Sequence, residues 1–223
     1  MPDYSVIIPT LNEAENIAGC IDRIRTFNSS VQIIVADGGS GDQTARIAEK
    51  AGAQVVLSQP GRGIQCNCGA KNAKGSILIF LHADTCLPHE AFVVLNNIFS
   101  DSKIQIGTFR LRFDSDNWFL KLCGYLTRFD SLLTRFGDQC IVVRRNFFDE
   151  LGGFPEWPLF EDVDFLRQAR KKTRIHSFPA KVITSARKFK KNGPIRQQIR
   201  NGILILKYLA GVSPGKLAKE YIR

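Results

Sequence analysis

The chain has 223 residues, 44% hydrophobic and 23% charged, so it can bury a core and is neither disordered nor low in complexity. That length suits one large α/β domain, or at most a domain with an appendage. Its net charge of +10 is lodged at one end, where 16 of the 31 lysines and arginines follow Asp164 against a single acid, Glu220.

Tyr4 to Pro9 reads as a first strand, and Asn12 to Asn16 open a helix with acids in its first turn, where the dipole favours them. Ile17, Ile21, Ile24 and Phe27 recur at helical spacing and form its buried stripe. Val31 to Asp37 and Ile77 to Asp84 are near-continuous apolar runs that end on an aspartate, as parallel strands buried on both faces do. Between them lie a short helix from Gln43 to Ala51, a strand from Gln54 to Leu57, and a turn at Pro60-Gly61-Arg62-Gly63 into a helix ending near Gly75. Thr85 and Pro88 turn into another helix. Strand and helix thus alternate at short spacing, which predicts a parallel sheet with crossover helices.

After Ser102 the rhythm changes. Gly107 to Asp114 alternates as a strand with one polar face, Trp118 to Phe136 reads as a helix, and Cys140 to Arg144 as a strand. Gly152 to Pro158 is a loop leading into a helix start loaded with acids, Glu161, Asp162 and Asp164. Gly193 to Gly211 reads as a helix with Ile195, Ile199, Ile203, Leu204 and Leu206 on an apolar face and Arg196, Arg200 and Lys207 elsewhere. That face either packs on the core or lies on anionic lipid. The basic block as a whole suits anionic lipid, a phosphorylated ligand, nucleic acid or plain solvation.

The opening residues enter a strand without the basic and apolar regions of a signal peptide, and no apolar stretch reaches the roughly 18 residues of a membrane span, so a cytoplasmic protein is expected. Six cysteines, at 20, 66, 68, 86, 123 and 140, include no CxxC pair and are expected to be reduced packing residues.

The carboxyl ends of parallel strands are where open α/β sheets bind ligands. Asp37 suits hydrogen bonds from a base or sugar, with Gly38 and Gly39 letting the backbone turn beside it, while Asp42 looks like a helix cap. Asp84 suits Mg²⁺ or Mn²⁺ bridging two phosphates, a cation that needs only one or two protein carboxylates; His82, on the same face by alternation, is a weaker ligand candidate. Crowding of Glu161, Asp162 and Asp164 would raise at least one pKa, as suits a general base, while the helix dipole would lower it. Trp157 stands close by, as aromatics often do where sugars bind. A dinucleotide fold would need glycines after the first strand, and Pro9-Thr10-Leu11-Asn12-Glu13 has none.

In order and spacing, Ser5 to Glu13, Ala36 to Thr44, Leu81 to Thr85, and Gly152-Gly153-Phe154 with Glu161 to Asp164 resemble the family 2 glycosyltransferases, inverting nucleotide-sugar enzymes of the GT-A fold. Gly61 to Asn67, His82 to Thr85 and Gly137 to Gln139 are similar to a small bacterial subgroup, the radical-SAM/selenodomain-associated transferases. The resemblance implies an α/β GT-A fold with a mostly parallel central sheet, a mixed α+β second half and C-terminal helices. It implies one domain over 1–223, with a nucleotide-binding half at 1–100, an acceptor and catalytic half at 101–190 and a basic helical tail at 191–223. Pro9, Leu11, Glu13 and Arg62 would border the nucleotide, and Asp37 would read the base, usually uracil. Asp84 would ligate the metal, with His82 standing where the family's DxD motif has its first acid. Asp162 would deprotonate the acceptor hydroxyl with Glu161 orienting it. Arg187 and Lys188 would help to neutralise the diphosphate, and Asp138 and Gln139 would border the acceptor.

The expected partners are a nucleotide-sugar donor, probed first as a UDP-sugar, and an acceptor of open identity, a lipid-linked one included. Contact with the inner face of an anionic membrane is left open, and nucleic acid is not expected. The competing readings are a sugar nucleotidyltransferase, which lacks its basic glycine-rich loop here, and a non-catalytic nucleotide-sugar- or nucleic-acid-binding module, against which Asp37, Asp84 and Asp162 argue.

Overall fold

The computed structural model describes residues 3–131 and 134–222, and these form one eight-stranded sheet. Its first four strands are β1 (Tyr4–Thr10), β2 (Gln32–Asp37), β3 (Gln54–Leu57) and β4 (Ile77–Phe80). They run parallel in the order β3-β2-β1-β4, so Ile7 of β1 lies between Ile34 and Phe80. The continuous apolar runs are explained by two cores. Val6 and Ile8 point into one, against Ile17 and Ile21, while Ile7 points into the other, with Cys66, Phe148 and Phe165. Helices α1 (Ala14–Phe27), α2 (Thr44–Lys50) and α3 (Arg62–Asn72) make the crossovers.

The second half continues the same sheet. After α4 (Ala91–Phe99), strand β6 (Ile106–Phe113) pairs antiparallel with β7 (Ile141–Arg144), which in turn lies antiparallel beside β4. Beyond β6 come β8 (His176–Thr184), parallel to it, and a two-residue β5 (Thr85–Cys86) on the far edge. The architecture is therefore the α/β one expected, with a mostly parallel sheet between helices and a mixed second half.

Several boundaries differ from expectation. The strand expected to run to Asp84 stops at Phe80, because after Leu81 donates to Ile7 O the chain closes a turn in which Thr85 N bonds His82 O at 3.0 Å. Asp84 is thereby carried from the middle of the sheet towards its far edge. The helix expected from Trp118 to Phe136 ends at Leu126 as α5 (Trp118–Leu126). Thr127 stops it: its hydroxyl donates to Gly124 O at 2.7 Å and accepts from Leu111 N at 2.9 Å, tying the helix end to β6. Residues 132 and 133 of that expected helix lie outside the described residues, as do 1, 2 and 223 of the expected domain. Five elements have no counterpart among those expected from sequence, namely β5, the 3₁₀ turn Gly137–Gln139, α6 (Arg145–Glu150), β8 and α8 (Arg187–Asn192), while α10 (Pro214–Ile222) falls in the expected helical tail.

Helix α7 (Glu161–Lys172) begins on the acids, and α9 (Pro194–Leu209) crosses near it. Leu204, Ile205 and Tyr208 of α9 join Leu159, Phe160, Val163 and Leu217 in a third cluster, and each such buried aliphatic contributes about 1.5–3 kcal/mol relative to exposure. Ile195, Ile199, Ile203 and Leu206 face outward instead, all about half exposed. So one helix carries both alternatives: an inner face that packs and an outer one left in solvent. Among the described residues no helix is long and apolar enough to cross a membrane, and all six cysteines are free.

Candidate active site

Thr10 and Asp37 end β1 and β2 side by side in register. The Asp37 carboxylate is 1% exposed and accepts four hydrogen bonds: from Thr10 Oγ1 (3.0 Å), Ser40 Oγ (2.6 Å), Gly39 N (3.0 Å) and Ser40 N (2.8 Å). Gly39, at φ +85°, lets those amides converge. Asp42 is a cap, as expected, but a double one: it accepts from Ala14 N at the start of α1 and Thr44 N at the start of α2. Leu11 is 47% exposed beside this turn, whereas Pro9 is half-buried and Glu13 holds Asn16 Nδ2 at 2.6 Å. The interior amide of Gln65, given no role of its own in the sequence, donates to Thr10 O and Ala36 O and so moors α3 to both strand ends.

One turn earlier on α3, Arg62 reaches the other half of the molecule and pairs with Glu161 at 2.7 Å. From there a cavity of about 220 Å³ runs between the sheet edge and the C-terminal helices, lined by Arg62, His82, Asp84, Asp138, Asp162, Arg187 and Lys188 among others. Seven residues singled out from five separate stretches of sequence thus meet. The strand pairing explains how. Thr85 lies opposite Thr184, their hydroxyls 3.0 Å apart, so Asp84 just before β5 faces Ser185 just after β8, and α8 follows with Arg187 and Lys188. The Asp84 carboxylate has no donor closer than Thr85 Oγ1 at 3.5 Å among the described residues.

The three crowded acids have three separate tasks. Asp164 accepts from Tyr208 Oη (2.9 Å) and Arg167, pinning α9 to α7. Glu161 is buried against Arg62, and burial pushes its carboxyl up to about 6 despite that guanidinium. Asp162 accepts Gly137 N at 2.6 Å through one oxygen and Val163 N at 2.8 Å through the other. Asp138, on the short 3₁₀ turn Gly137–Gln139, is raised to about 7 by burial first and by Asp162, with Arg62 opposing and Asp84 adding. His82 goes the other way: burial and then Arg62 lower it to about 4, leaving a neutral ring at pH 7.

Backbone strain marks the same places. Asn12, Cys140 and Phe160 are the non-glycine residues with positive φ among those described, at 57°, 57° and 65°. Asn12 lies between Leu11 and Glu13, Cys140 follows Gln139, and Phe160 precedes Glu161. Such a dihedral costs about 1–3 kcal/mol each and persists only when packing enforces it. For Phe160 that packing is the ring of Tyr208, 5.1 Å away.

A second chamber, also about 220 Å³, adjoins the first and shares Arg62, Phe136, Asp138, Asp162 and Tyr221 with it. Of the other expected acceptor residues, Gln139 lines this second chamber and Trp157 does not. Gln139 is fully buried and turns inward, its amide donating to Thr134 O and its carbonyl facing Thr108 Oγ1, so it supports the chamber wall. Trp157 lines neither cavity, because its ring packs edge-on to Tyr208. Tyr221 and Asn201 line both and were not foreseen; their only sequence signal is the amphipathic pattern of α9 and α10.

No cluster of three or more His, Cys, Asp or Glu suited to hold a metal by itself exists among the described residues. The donor set instead fits a hard cation carried in on a diphosphate: one carboxylate, Asp84, meets only the Thr85 hydroxyl at 3.5 Å among the described residues, His82 is neutral, and Asp138 Oδ1 is buried without a hydrogen-bond partner.

The sequence pattern of Glycosyl transferase family 2 matches residues 5–152. A curated relative, the glycosyltransferase AglE of Haloferax volcanii, is 34% identical over 103 residues, which are 42% of this chain and 34% of that protein. The match thus spans about a third of that relative's length. A mannosyltransferase from Pyrobaculum calidifontis, solved with GDP-Man and Mn²⁺, superposes with a TM-score of 0.68 at 19% identity, covering 99% of this chain and 71% of that one. The glucosyl-3-phosphoglycerate synthase of Mycobacterium tuberculosis, solved with Mn²⁺, UDP and glucosyl-3-phosphoglycerate, gives a TM-score of 0.64 at 22% identity over 95% of this chain and 81% of that one. At such identities the two structures speak for the fold.

Proposed function

The chain belongs to glycosyl transferase family 2, and from that premise we propose that it is a metal-dependent, inverting transferase moving a sugar from a nucleoside diphosphate sugar to an acceptor hydroxyl. The observation that carries this is the single cavity in which Asp84, Asp138 and Asp162 confront Arg62, Arg187 and Lys188. Single displacement needs a base on one side of the anomeric carbon and charge neutralisation on the other. Asp162 takes the proton of the attacking hydroxyl, its direction set by Gly137 N and by the enforced dihedral at Phe160. Arg62 divides its charge between Glu161 and the cavity. Arg187 and Lys188, both exposed at the mouth, draw the diphosphate and steady it as it leaves. Asp84 and His82 would hold the Mg²⁺ or Mn²⁺, which supplies Lewis-acid neutralisation of the departing phosphates. The base and ribose would lie along Pro9, Leu11 and Glu13, with Asp37 serving the base directly or through the Ser40 turn that it organises.

The donor nucleotide is proposed to be UDP, in keeping with the family resemblance. The narrower likeness to the radical-SAM-associated transferases is kept on the strength of Arg62, Asp84 and Asp138, which come from its three motifs and share one cavity. Free cysteines suit a reducing compartment, so we place the protein in the cytoplasm. The outward isoleucines of α9, flanked by Arg196, Arg200 and Lys207, suit the surface of an anionic membrane, and flotation with anionic but not neutral vesicles checks that contact.

Calorimetry with UDP and GDP, each with and without Mn²⁺, tests the central reading. Mn²⁺-dependent binding of one of them is expected; absence of binding for both overturns the reading.

A further inference from the structure

The second chamber shares Asp138 and Asp162 with the polar cavity but is not lined by Arg187 or Lys188. Its private wall is mostly apolar, with Leu111, Cys123, Leu126, Leu204 and Ile205 among its members, and its polar members are Thr127, Thr134, Gln139 and Gln198. Among the described residues, every one that lines the chamber without also lining the polar cavity is uncharged. Charge is confined to the rim that the two share, where Arg62 is already paired with Glu161 and where Asp138 and Asp162 stand. An anionic acceptor would therefore be desolvated beside Asp138 and Asp162, and the one cation that the described lining offers it, Arg62, is already shared with Glu161. A purely polar acceptor would lose water against leucine, isoleucine and phenylalanine. An apolar void of roughly 150 Å³ already admits a benzene ring, and this chamber is larger, at about 220 Å³.

The geometry points to an acceptor that is an alcohol or phenol with an apolar body. That body fills the chamber between β6, α5 and α9, and its hydroxyl emerges at the rim beside Asp162. The inference rests on the glycosyl-transfer reading and names the substrate class that reading leaves open. In the transfer, the acceptor O–H bond breaks and its proton passes to Asp162. The acceptor oxygen forms the new bond to the anomeric carbon, and the nucleoside diphosphate departs with the electron pair of the bond it held. The partition explains why the base stands where the cavities meet: donor charge stays on the side of Arg187 and Lys188, and apolar acceptor surface on the other. Phe113, Phe136 and Phe189 line both compartments and screen one from the other.

A homologous series of primary alcohols from propanol to octanol, titrated against the full chain by ligand-observed NMR, tests this without knowledge of the natural acceptor. Affinity should rise about fourfold per methylene, the equivalent of roughly 0.8 kcal/mol for each buried CH₂. Cys123→Phe, which fills the chamber from α5, should flatten the series beyond the shorter members. Leu126→Ser, which only removes apolar wall, should lower the slope and is the variant to rely on should the first fail to fold. No slope in the wild type, or the wild-type slope retained in the folded variants because the alcohols bind the outer faces of α5 and α9, overturns the proposal. UDP binding with Mn²⁺ is measured on the same wild-type sample. If it persists while the alcohol series is flat, the acceptor class is wrong and the transfer reading stands; if it is absent, the transfer reading itself has failed.

Discussion

Two turns of this protein look alike in sequence, an apolar strand ending on aspartate with a polar turn and a helix after it, and the structure uses them in opposite ways. At the first, Asp37 is buried and its oxygens accept four hydrogen bonds from its own loop and the neighbouring strand end. At the second, Asp84 is half-buried and meets nothing closer than a hydroxyl at 3.5 Å. The difference lies in the residues just downstream of each aspartate. Gly39 and Ser40 fold back to present amides to Asp37, whereas after Asp84 the chain pairs at once with the end of β8 and turns the carboxylate towards the basic start of α8. An acid at a strand end thus belongs to the scaffold when its loop satisfies it and stays available to a ligand when its loop leaves it open.

Substitutions should separate the closed side from the open one. The largest effect belongs to the open side: Asp162→Asn removes the proton acceptor and keeps one of the two bonds from Gly137 N and Val163 N, since an amide has a single acceptor oxygen, so kcat should fall by about 10²–10⁴-fold with UDP affinity retained. Steady-state kinetics checks this, and a change in KM alone would refute the assignment. Next comes Asp37→Ala, which strands four donors and should cost about 2–4 kcal/mol of stability. For a chain of this size that is a Tm lower by roughly 5–15 °C by calorimetric scan. Asp84→Ala should do the reverse, leaving Tm within about 1 °C because no internal donor is stranded. Its Mn²⁺-dependent affinity for UDP should fall about 10- to 100-fold, the value of a charge-assisted contact. If Asp84→Ala lowers Tm and Asp37→Ala does not, the contrast between the turns is wrong.

How far the site could be read from sequence obeys the same division between local and distant causes. The parallel half was legible because period and turn chemistry are local: Val6, Ile7 and Ile8 are all apolar since the two sides of the sheet are both cores, and Asp42 is recognisable as a cap. The end of β4 was not legible, because Leu81 is as apolar as the strand before it and only the antiparallel arrival of β8 shows where the chain departs. Likewise nothing near Leu126 signals the end of α5; the hydroxyl of Thr127 does it by bonding β6, 16 residues back at Leu111. The acids 161 to 164 were visible as a cluster, yet their separate tasks depend on Arg62, Gly137 and Tyr208, all remote in sequence. Tyr221 and Asn201 carry no local mark of function whatever.

The smallest expected effects come from one glycine in each half of the contrast, and they separate backbone dihedral from space. A Cβ at Gly39 would meet nothing within 4 Å, but φ is +85°, so Gly39→Ala should cost about 1–2 kcal/mol. That loss appears as a Tm lower by roughly 2–8 °C with kcat unchanged. Gly137 has an ordinary dihedral, but a Cβ there would lie 3.0 Å from Asp162 Oδ2 and 3.1 Å from its Cβ. Asp162 would have to retreat by a few tenths of an ångström, and since a 1 Å misplacement costs about 10²-fold, Gly137→Ala should lower kcat by roughly three- to tenfold. Its Tm should hardly move, because Gly137 N remains free to donate. Measured together, the two variants ask whether the glycine of the 3₁₀ turn is there to place the base. Equal kcat in Gly137→Ala and wild type would mean that Asp162 does not need its present position, and the case for it as the proton acceptor would weaken with it.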